Sequence, residues 1–145
     1  MIIRRLVPSD INAVLAIQSS CPEIAQWAPR DYTHANGGEM SAWVAEEASE
    51  IVAFLVGRRV GSDLEILNFA VQSEARRCGI GASLLSEAFK WGKSLNAGKA
   101  FIEVRASNLA ALRFYERHNF QIAGRRPRYY TTPVEDAILL AAPLG

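Results

Sequence analysis

Cysteine is scarce in this chain of 145 residues. Cys21 and Cys78 stand far apart in the sequence, in neither metal-ligand nor redox-pair spacing. Their rarity excludes a disulfide framework and fits a reducing compartment, the cytoplasm. Histidine is as sparse: His34 and His118 cannot build a ligand cluster, no metal is expected, and both read as surface residues. Long apolar runs are missing, since no stretch approaches the roughly 18 residues of a membrane span. The opening MIIRRLVPSD is too short in apolar residues for a signal peptide, so no membrane partner is expected. A dominant charge is missing too. Sixteen basic residues face fifteen acidic ones, a net charge of +1, so no global field draws the chain to nucleic acid or to an anionic surface. Repeats and low-complexity tracts are absent.

Half the residues are hydrophobic and 21% are charged, which suits one globular domain over residues 1–145. Residues 2–7 read as a strand, and Pro8-Ser9-Asp10 signals a helix carrying Ile11, Val14, Leu15 and Gln18 that ends near Cys21-Pro22. Residues 23–40 lose periodicity and read as a partly helical lid with Trp27 and Tyr32. Residues 41–46, 51–59 and 64–71 predict a three-strand antiparallel meander. A helix from Gly79 or Ile80 carries Leu84, Leu85, Ala88 and Gly92 on one stripe and stops at Asn96-Ala97-Gly98, with Gly98 expected in the left-handed position. Residues 100–105 predict a strand with Phe101, Glu103 and Arg105 on one face. Ser107 then reads as the cap of a helix over 108–118 that aligns Asn108, Ala111, Leu112 and Tyr115, with Asn119 at its left-handed end. A strand from Phe120 to Gly124, a basic turn RRPRYYTTPVE and an apolar strand over 137–142 complete the chain. The element order predicts a mixed α/β layer with a mostly antiparallel sheet flanked by helices.

The most informative stretch is ARRCGIGASLL, residues 75–85, where a strand gives way to a tight loop and a helix N-terminus. Free N–H groups and the positive end of the helix dipole make such a place a seat for phosphates, with Gly79 and Gly81 letting the backbone close in and Arg76 and Arg77 adding charge. Leu84 and Leu85 stand where a dinucleotide fingerprint needs a third glycine and a P-loop needs Gly-Lys, which removes both.

The string from Arg76 to Ala82 resembles the pyrophosphate loop of the GNAT superfamily of N-acetyltransferases, which move an acetyl group from acetyl-coenzyme A to an amine. The run IEVRASN at 102–108 with Ala111, Leu112, Tyr115 and Phe120, then RRPRYY and EDAILLAAPL, resembles the ribosomal-protein alanine N-acetyltransferases of that superfamily. The resemblance implies the GNAT fold, in which the parallel strands ending near Val71 and Arg105 splay apart around the cosubstrate. It implies Glu103 as general base, Tyr115 as general acid and Asn108 as a cofactor contact. It further implies that the backbone of Phe69, Ala70 and Val71 pairs with pantetheine and that Arg76, Arg77, Cys78, Gly79, Ile80, Gly81 and Ala82 hold the pyrophosphate. Trp27, Tyr129 and Tyr130 are the implied acceptor contacts. The chain departs from the family pattern at Ser73 (usually proline), at Asn119 (usually glycine) and around Trp27, where Gln26 and Ala28 replace the usual neighbours.

The residues themselves leave alternatives open. Acetyl transfer needs a neutral amine, stabilisation of the carbonyl oxygen and a leaving thiolate. An α-amine of pKa about 8 is roughly a tenth neutral at pH 7, against about 4 parts in 10,000 for lysine. Glu103 is a carboxylate on an otherwise apolar strand, equally readable as an ion-pair partner of Arg105 or a solvated glutamate. Tyr115 also reads as a core tyrosine, and its proton transfer to a thiolate is uphill by about 2 kcal/mol, so hydrogen bonding suffices as a role. Asn108 also reads as a helix cap. Cys78 has no nearby base, which argues against a covalent route. The arginines at 125, 126 and 128 fit a substrate-facing or solvated loop better than a nucleic-acid patch. The expected activity is transfer to a protein N-terminal α-amine. The alternatives are a small-molecule amine as acceptor, a non-catalytic acetyl-coenzyme A-binding regulator, or an RNA-associated adaptor.

Overall fold

The computed structural model describes residues 1–76 and 78–145. Strand β1 (Ile2–Arg5) passes through a 3-10 turn at Pro8–Asp10 into α1 (Ile11–Ser19), and the segment after it holds only the short α2 (Pro29–Thr33). The meander β2 (Met40–Glu47), β3 (Glu50–Val60) and β4 (Asp63–Val71) follows, then α3 (Ile80–Ser94), β5 (Lys99–Arg105), α4 (Leu109–Arg117), β6 (Gln121–Thr131) and β7 (Val134–Pro143). The seven strands form one sheet in the order β1-β2-β3-β4-β5-β7-β6. Among the described residues only β4 and β5 pair in parallel. This is the mixed, mostly antiparallel α/β layer expected. Among the described residues no helix is long and apolar enough to cross a membrane.

Alternation in the strands sends apolar side chains to two cores, one on each face of the sheet. On one face, Val14 and Ile17 of α1 and Tyr32 of α2 pack on Val44, Phe54 and Val56. On the other, Ile80, Leu84, Leu85 and Ala88 of α3 pack on Leu55, Leu64, Ile66, Ile102, Val104, Ile138 and Leu140, joined by Tyr115 of α4.

The parallel pair touches only at its start, where residues 63–65 of β4 face residues 99–101 of β5. Beyond Glu65 the strands part. A register shift between Val56 and Gly57 leaves Leu67 of β4 without a partner on β3. Such a bulge bends a strand and reverses its facing. Leu64 and Ile66 accordingly face α3, whereas Leu67 and Ala70 pack against the α1 core and Phe69 and Val71 return to the α3 side. Strand β5 runs straight on, paired with β7 over its whole length from Lys99 to Arg105. The result is a wedge-shaped gap that exposes the β5-facing edge of residues 66–71.

Three local expectations are corrected. The left-handed residue after α3 is Asn96 (φ 65°), while Gly98 has no positive φ. The helix stops two residues early because Ala97 and Asn96 N–H groups donate to the Gly92 and Lys93 carbonyls, at 2.9 Å each, closing a Schellman turn. The cap of α4 is Asn108, whose Oδ1 accepts from Ala111 N–H at 3.2 Å, and Ser107 instead gives its N–H to Glu135 Oε2 at 2.8 Å. The basic turn is a strand: β6 runs to Thr131, and its partner β7 supplies the ladder that the polar sequence does not announce. Asn119 holds the left-handed position expected of it (φ 69°), again closing a Schellman turn through Phe120 N–H to Tyr115 carbonyl at 3.0 Å.

Candidate active site

The gap between β4 and β5 is built from three sides. Strand β4 brings Phe69, Ala70 and Val71, bonded to β3 on one edge only. Helix α3 brings its N-terminus. Gly79 is the N-cap residue in the left-handed region (φ 78°, ψ 4°), which lets the chain turn directly into the helix at Ile80. The first amides of a helix have no carbonyl within it, so those of Ile80, Gly81 and Ala82 are available to an anion. Gly81 is small for a different reason. A Cβ there would stand 3.2 Å from Phe114 Cε1 and 3.6 Å from Phe69 Cζ, so a larger residue would have to push the Phe114 ring aside. Cys78 is exposed, with its thiol 3.6 Å from the Arg76 carbonyl. Arg76 folds back, donating from Nε to the Val71 carbonyl at 3.0 Å and reaching Cys21 Sγ at 3.5 Å. Arg77 lies outside the described residues.

Glu103 and Tyr115 approach the gap from opposite faces of the sheet. Tyr115 belongs to the α3-side core, 5% exposed, with its ring against Phe69, Phe114 and Phe120. Burial pushes its phenol well above the usual value, so it stays protonated. Asn108, at the start of the same helix, is half-buried and uses Oδ1 as the cap. His118 is not a free surface residue; it packs on Phe114 with ring centres 4.5 Å apart.

Glu103 alternates with Ile102 and Val104 and therefore faces the α1 side. Its partner is Arg126 of β6, with Nε 3.3 Å from Oε1, and not Arg105. Its other oxygen, Oε2, is buried and accepts no hydrogen bond of good geometry among the described residues, although the Tyr129 hydroxyl stands near the carboxylate. An oxygen so placed is open to a hydrogen-bond donor that enters the gap. Arg105 serves the hairpin. It pairs with Glu135 at 3.2 Å, donates to the Pro133 and Thr132 carbonyls, and lies 4.2 Å under the Tyr130 ring. Glu135 in turn takes the Ser107 N–H, which ties the hairpin tip to the start of α4.

This hairpin carries both tyrosines to Glu103. The register of β6 slips between Arg126 and Tyr130, Asp136 accepts from Arg125 Nε at 2.6 Å and Arg128 N–H at 2.9 Å, and Tyr129 and Tyr130 stack edge to face with centres 5.2 Å apart. The negative charge of Glu103, then burial and a hydrogen bond toward the Glu103 carboxylate raise Tyr129, and burial followed by Glu103 pushes Tyr130 up to about 12. Both phenols therefore remain neutral donors beside a carboxylate. Trp27 lies on the same side of the sheet, half-buried, its ring 5.1 Å from Tyr32. The roles of Arg105 and Asp136 escaped the sequence reading, because their partners become neighbours only once β6 and β7 pair.

A cavity of about 590 Å³ lies against α1, the β2–β3 turn and the residues that follow β4, lined by Arg4, Asp10, Glu46, Glu50 and Glu74 among others. No residue with an expected catalytic role reaches it.

Residues 11–120 match the model of the Acetyltransferase (GNAT) family. The ribosomal protein bS18-alanine N-acetyltransferase of Escherichia coli strain K12 is 29% identical over 145 residues, covering 99% of this chain and 97% of that protein. An N-alpha-acetyltransferase of Sulfolobus acidocaldarius is 30% identical, covering 98% of this chain and 92% of its own. The crystal structure of the ribosomal-protein-S18-alanine N-acetyltransferase from Escherichia coli is similar with a TM-score of 0.85 and 27% identity, over 99% of this chain and 94% of that one.

Proposed function

Because the chain belongs to the Acetyltransferase (GNAT) family, we propose that it acetylates the N-terminal α-amine of a protein, with Glu103 as base and Tyr115 as donor to the leaving thiolate. It is an acetyl-coenzyme A-dependent N-acetyltransferase. The reading of Glu103 as the base rests on one observation above all: its Oε2 is buried and accepts no hydrogen bond of good geometry among the described residues, on the face that also carries Tyr129 and Tyr130. The relatives named above, an alanine N-acetyltransferase and an N-alpha-acetyltransferase, support the same acceptor class.

In this reading the pantetheine amides pair with the free edge of residues 69–71, the amides from Ile80 to Ala82 hold the pyrophosphate, and Asn108 contacts the pantetheine arm. Trp27, Tyr129 and Tyr130 line the acceptor side. The acceptor ammonium meets Glu103, gives up a proton to it, and the neutral nitrogen attacks the thioester carbon. The C–N bond forms and the C–S bond breaks; the nitrogen, positively charged after attack, gives up its second proton, and the thiolate, leaving against the Tyr115 hydroxyl, takes up one proton to end as coenzyme A thiol. Tyr115 acts mainly as a hydrogen-bond donor, since burial disfavours its anion.

Thiol release from acetyl-coenzyme A tests the reading, with three acceptor sets: peptides with free N-termini, the same peptides N-blocked but carrying lysine, and small amines. Turnover with the first set alone is expected. Turnover only with lysine or only with small amines would replace the acceptor, and cofactor binding without turnover would make the protein a sensor.

A further inference from the structure

On the proposed reading that Trp27 borders the acceptor, we infer that Asn68, Tyr32 and Gln18 are positioning residues that hold the 25–27 backbone against the cosubstrate strand. The three side chains come from β4, α2 and α1, and are 3%, 0% and 5% exposed. Asn68 Nδ2 donates to the Ala25 carbonyl at 3.0 Å and to the Tyr32 hydroxyl at 2.9 Å. The Tyr32 hydroxyl donates to Gln18 Oε1, and Gln18 Nε2 donates to the Trp27 carbonyl at 2.9 Å.

The polarity of this chain has no freedom. Both ends are backbone carbonyls, which only accept, so each amide must present its N–H₂ outward and the single Tyr32 proton must point at Gln18. Burial raises the Tyr32 phenol, and its neutral form is the one the network requires. Gln26 reinforces the same segment through Nε2, which reaches the Cys21 carbonyl at 3.1 Å and the Gln18 carbonyl at 3.2 Å. A segment with almost no regular structure is thereby fixed by its carbonyls.

The anchor's place on β4 gives it meaning. Asn68 follows the bulge at Leu67 and precedes Phe69, so the residue that holds the lid is chain neighbour to the edge that opens toward β5. The reversal of facing at the bulge is what turns Asn68 toward α1 and α2, whereas a regular strand would aim it at α3. Acceptor side and cosubstrate side are therefore set in register by one residue. A network kept for stability alone has an apolar substitute of equal worth, whereas a fixed distance between two substrates has none.

Tyr32→Phe removes the central link while keeping the ring against Trp27, and Asn68→Leu removes the anchor while keeping the number and branching of its heavy atoms. Each is measured for acceptor KM, acetyl-coenzyme A KM, kcat and amide hydrogen exchange over residues 22–33. The expected result is a rise in acceptor KM of about tenfold, kcat and acetyl-coenzyme A KM within about twofold, and faster exchange confined to the lid. The double variant should be little worse than either single one, because both cut the same chain. Unchanged exchange with unchanged acceptor KM overturns the inference, as does an equal loss in both KM values and kcat. Faster lid exchange in a protein that turns over no N-terminal peptide supports the anchor and contradicts the acceptor reading instead.

Discussion

At the scale of single residues, activity and stability should separate at Glu103. Its Oε2 accepts no hydrogen bond of good geometry among the described residues, so its charge is held chiefly by the half-exposed Arg126. Glu103→Gln should lower kcat/KM by about 10²-fold or more, the range of a lost general base, without lowering the melting temperature. A variant that loses stability and activity together would mean that Glu103 is there for its ion pair with Arg126. Tyr115→Phe keeps the contacts with Phe69, Phe114 and Phe120 and removes only the hydroxyl. A hydrogen bond to a charged group is worth about 1.5–3 kcal/mol, so kcat should drop roughly 10- to 100-fold with acetyl-coenzyme A affinity nearly intact. Steady-state rates and a binding isotherm check both parts.

At the scale of elements, α3 and α4 end alike, with an asparagine in the left-handed position. Asn119→Ala should destabilise by about 1 kcal/mol and Asn119→Gly should be neutral or stabilising, as a shift in denaturation midpoint will show. The contrast between these two ends explains what the sequence discloses. Asn119 was legible because the apolar stripe of α4 runs up to it. Gly98 misled because glycine is the stronger propensity, and the deciding hydrogen bonds from Asn96 and Ala97 involve backbone alone. The meander, α3 and β5 were legible from alternation and helical spacing, since each has one face in a core. Strand β6 was legible only over its first residues, to Gly124; beyond them almost every residue is exposed, so no pattern records that the strand runs on to Thr131 beside β7. The site divides in the same way. Glu103, Tyr115 and the glycine loop stand out as chemistry in apolar surroundings, while Arg126, Arg105 and Asp136 gain their meaning only from the hairpin. The Asn68 network was hidden because the bulge at Leu67 reverses the facing of the strand.

At the scale of the whole molecule, a single sheet keeps two tasks apart. The α3 face carries the helix N-terminus and Tyr115, the α1 face carries residues 25–27, Glu103 and the paired tyrosines, and the sheet opens between them where β4 leaves β5. The first strand is tied to the α1 face by Arg4, which grips Asp10 at 2.8 and 2.9 Å and Glu46 at 3.1 Å. The Arg4 guanidinium, aided by the Val7 N–H, holds the Asp10 carboxyl below its ordinary value of 3.8. A carboxylate with a lowered folded pKa contributes stability above the unfolded pKa and loses it as pH falls through the folded one. Wild type should therefore exceed Asp10→Asn in melting temperature at neutral pH, and the difference should close as pH drops below about 4. What the two faces accomplish together is tested most directly by one measurement. A peptide with a free N-terminal alanine and an internal lysine is incubated with the protein and acetyl-coenzyme A, and tandem mass spectrometry locates the added acetyl group. A label on the α-amine, abolished in Glu103→Gln, is the predicted result; a label on the lysine, or one undiminished in that variant, contradicts the account.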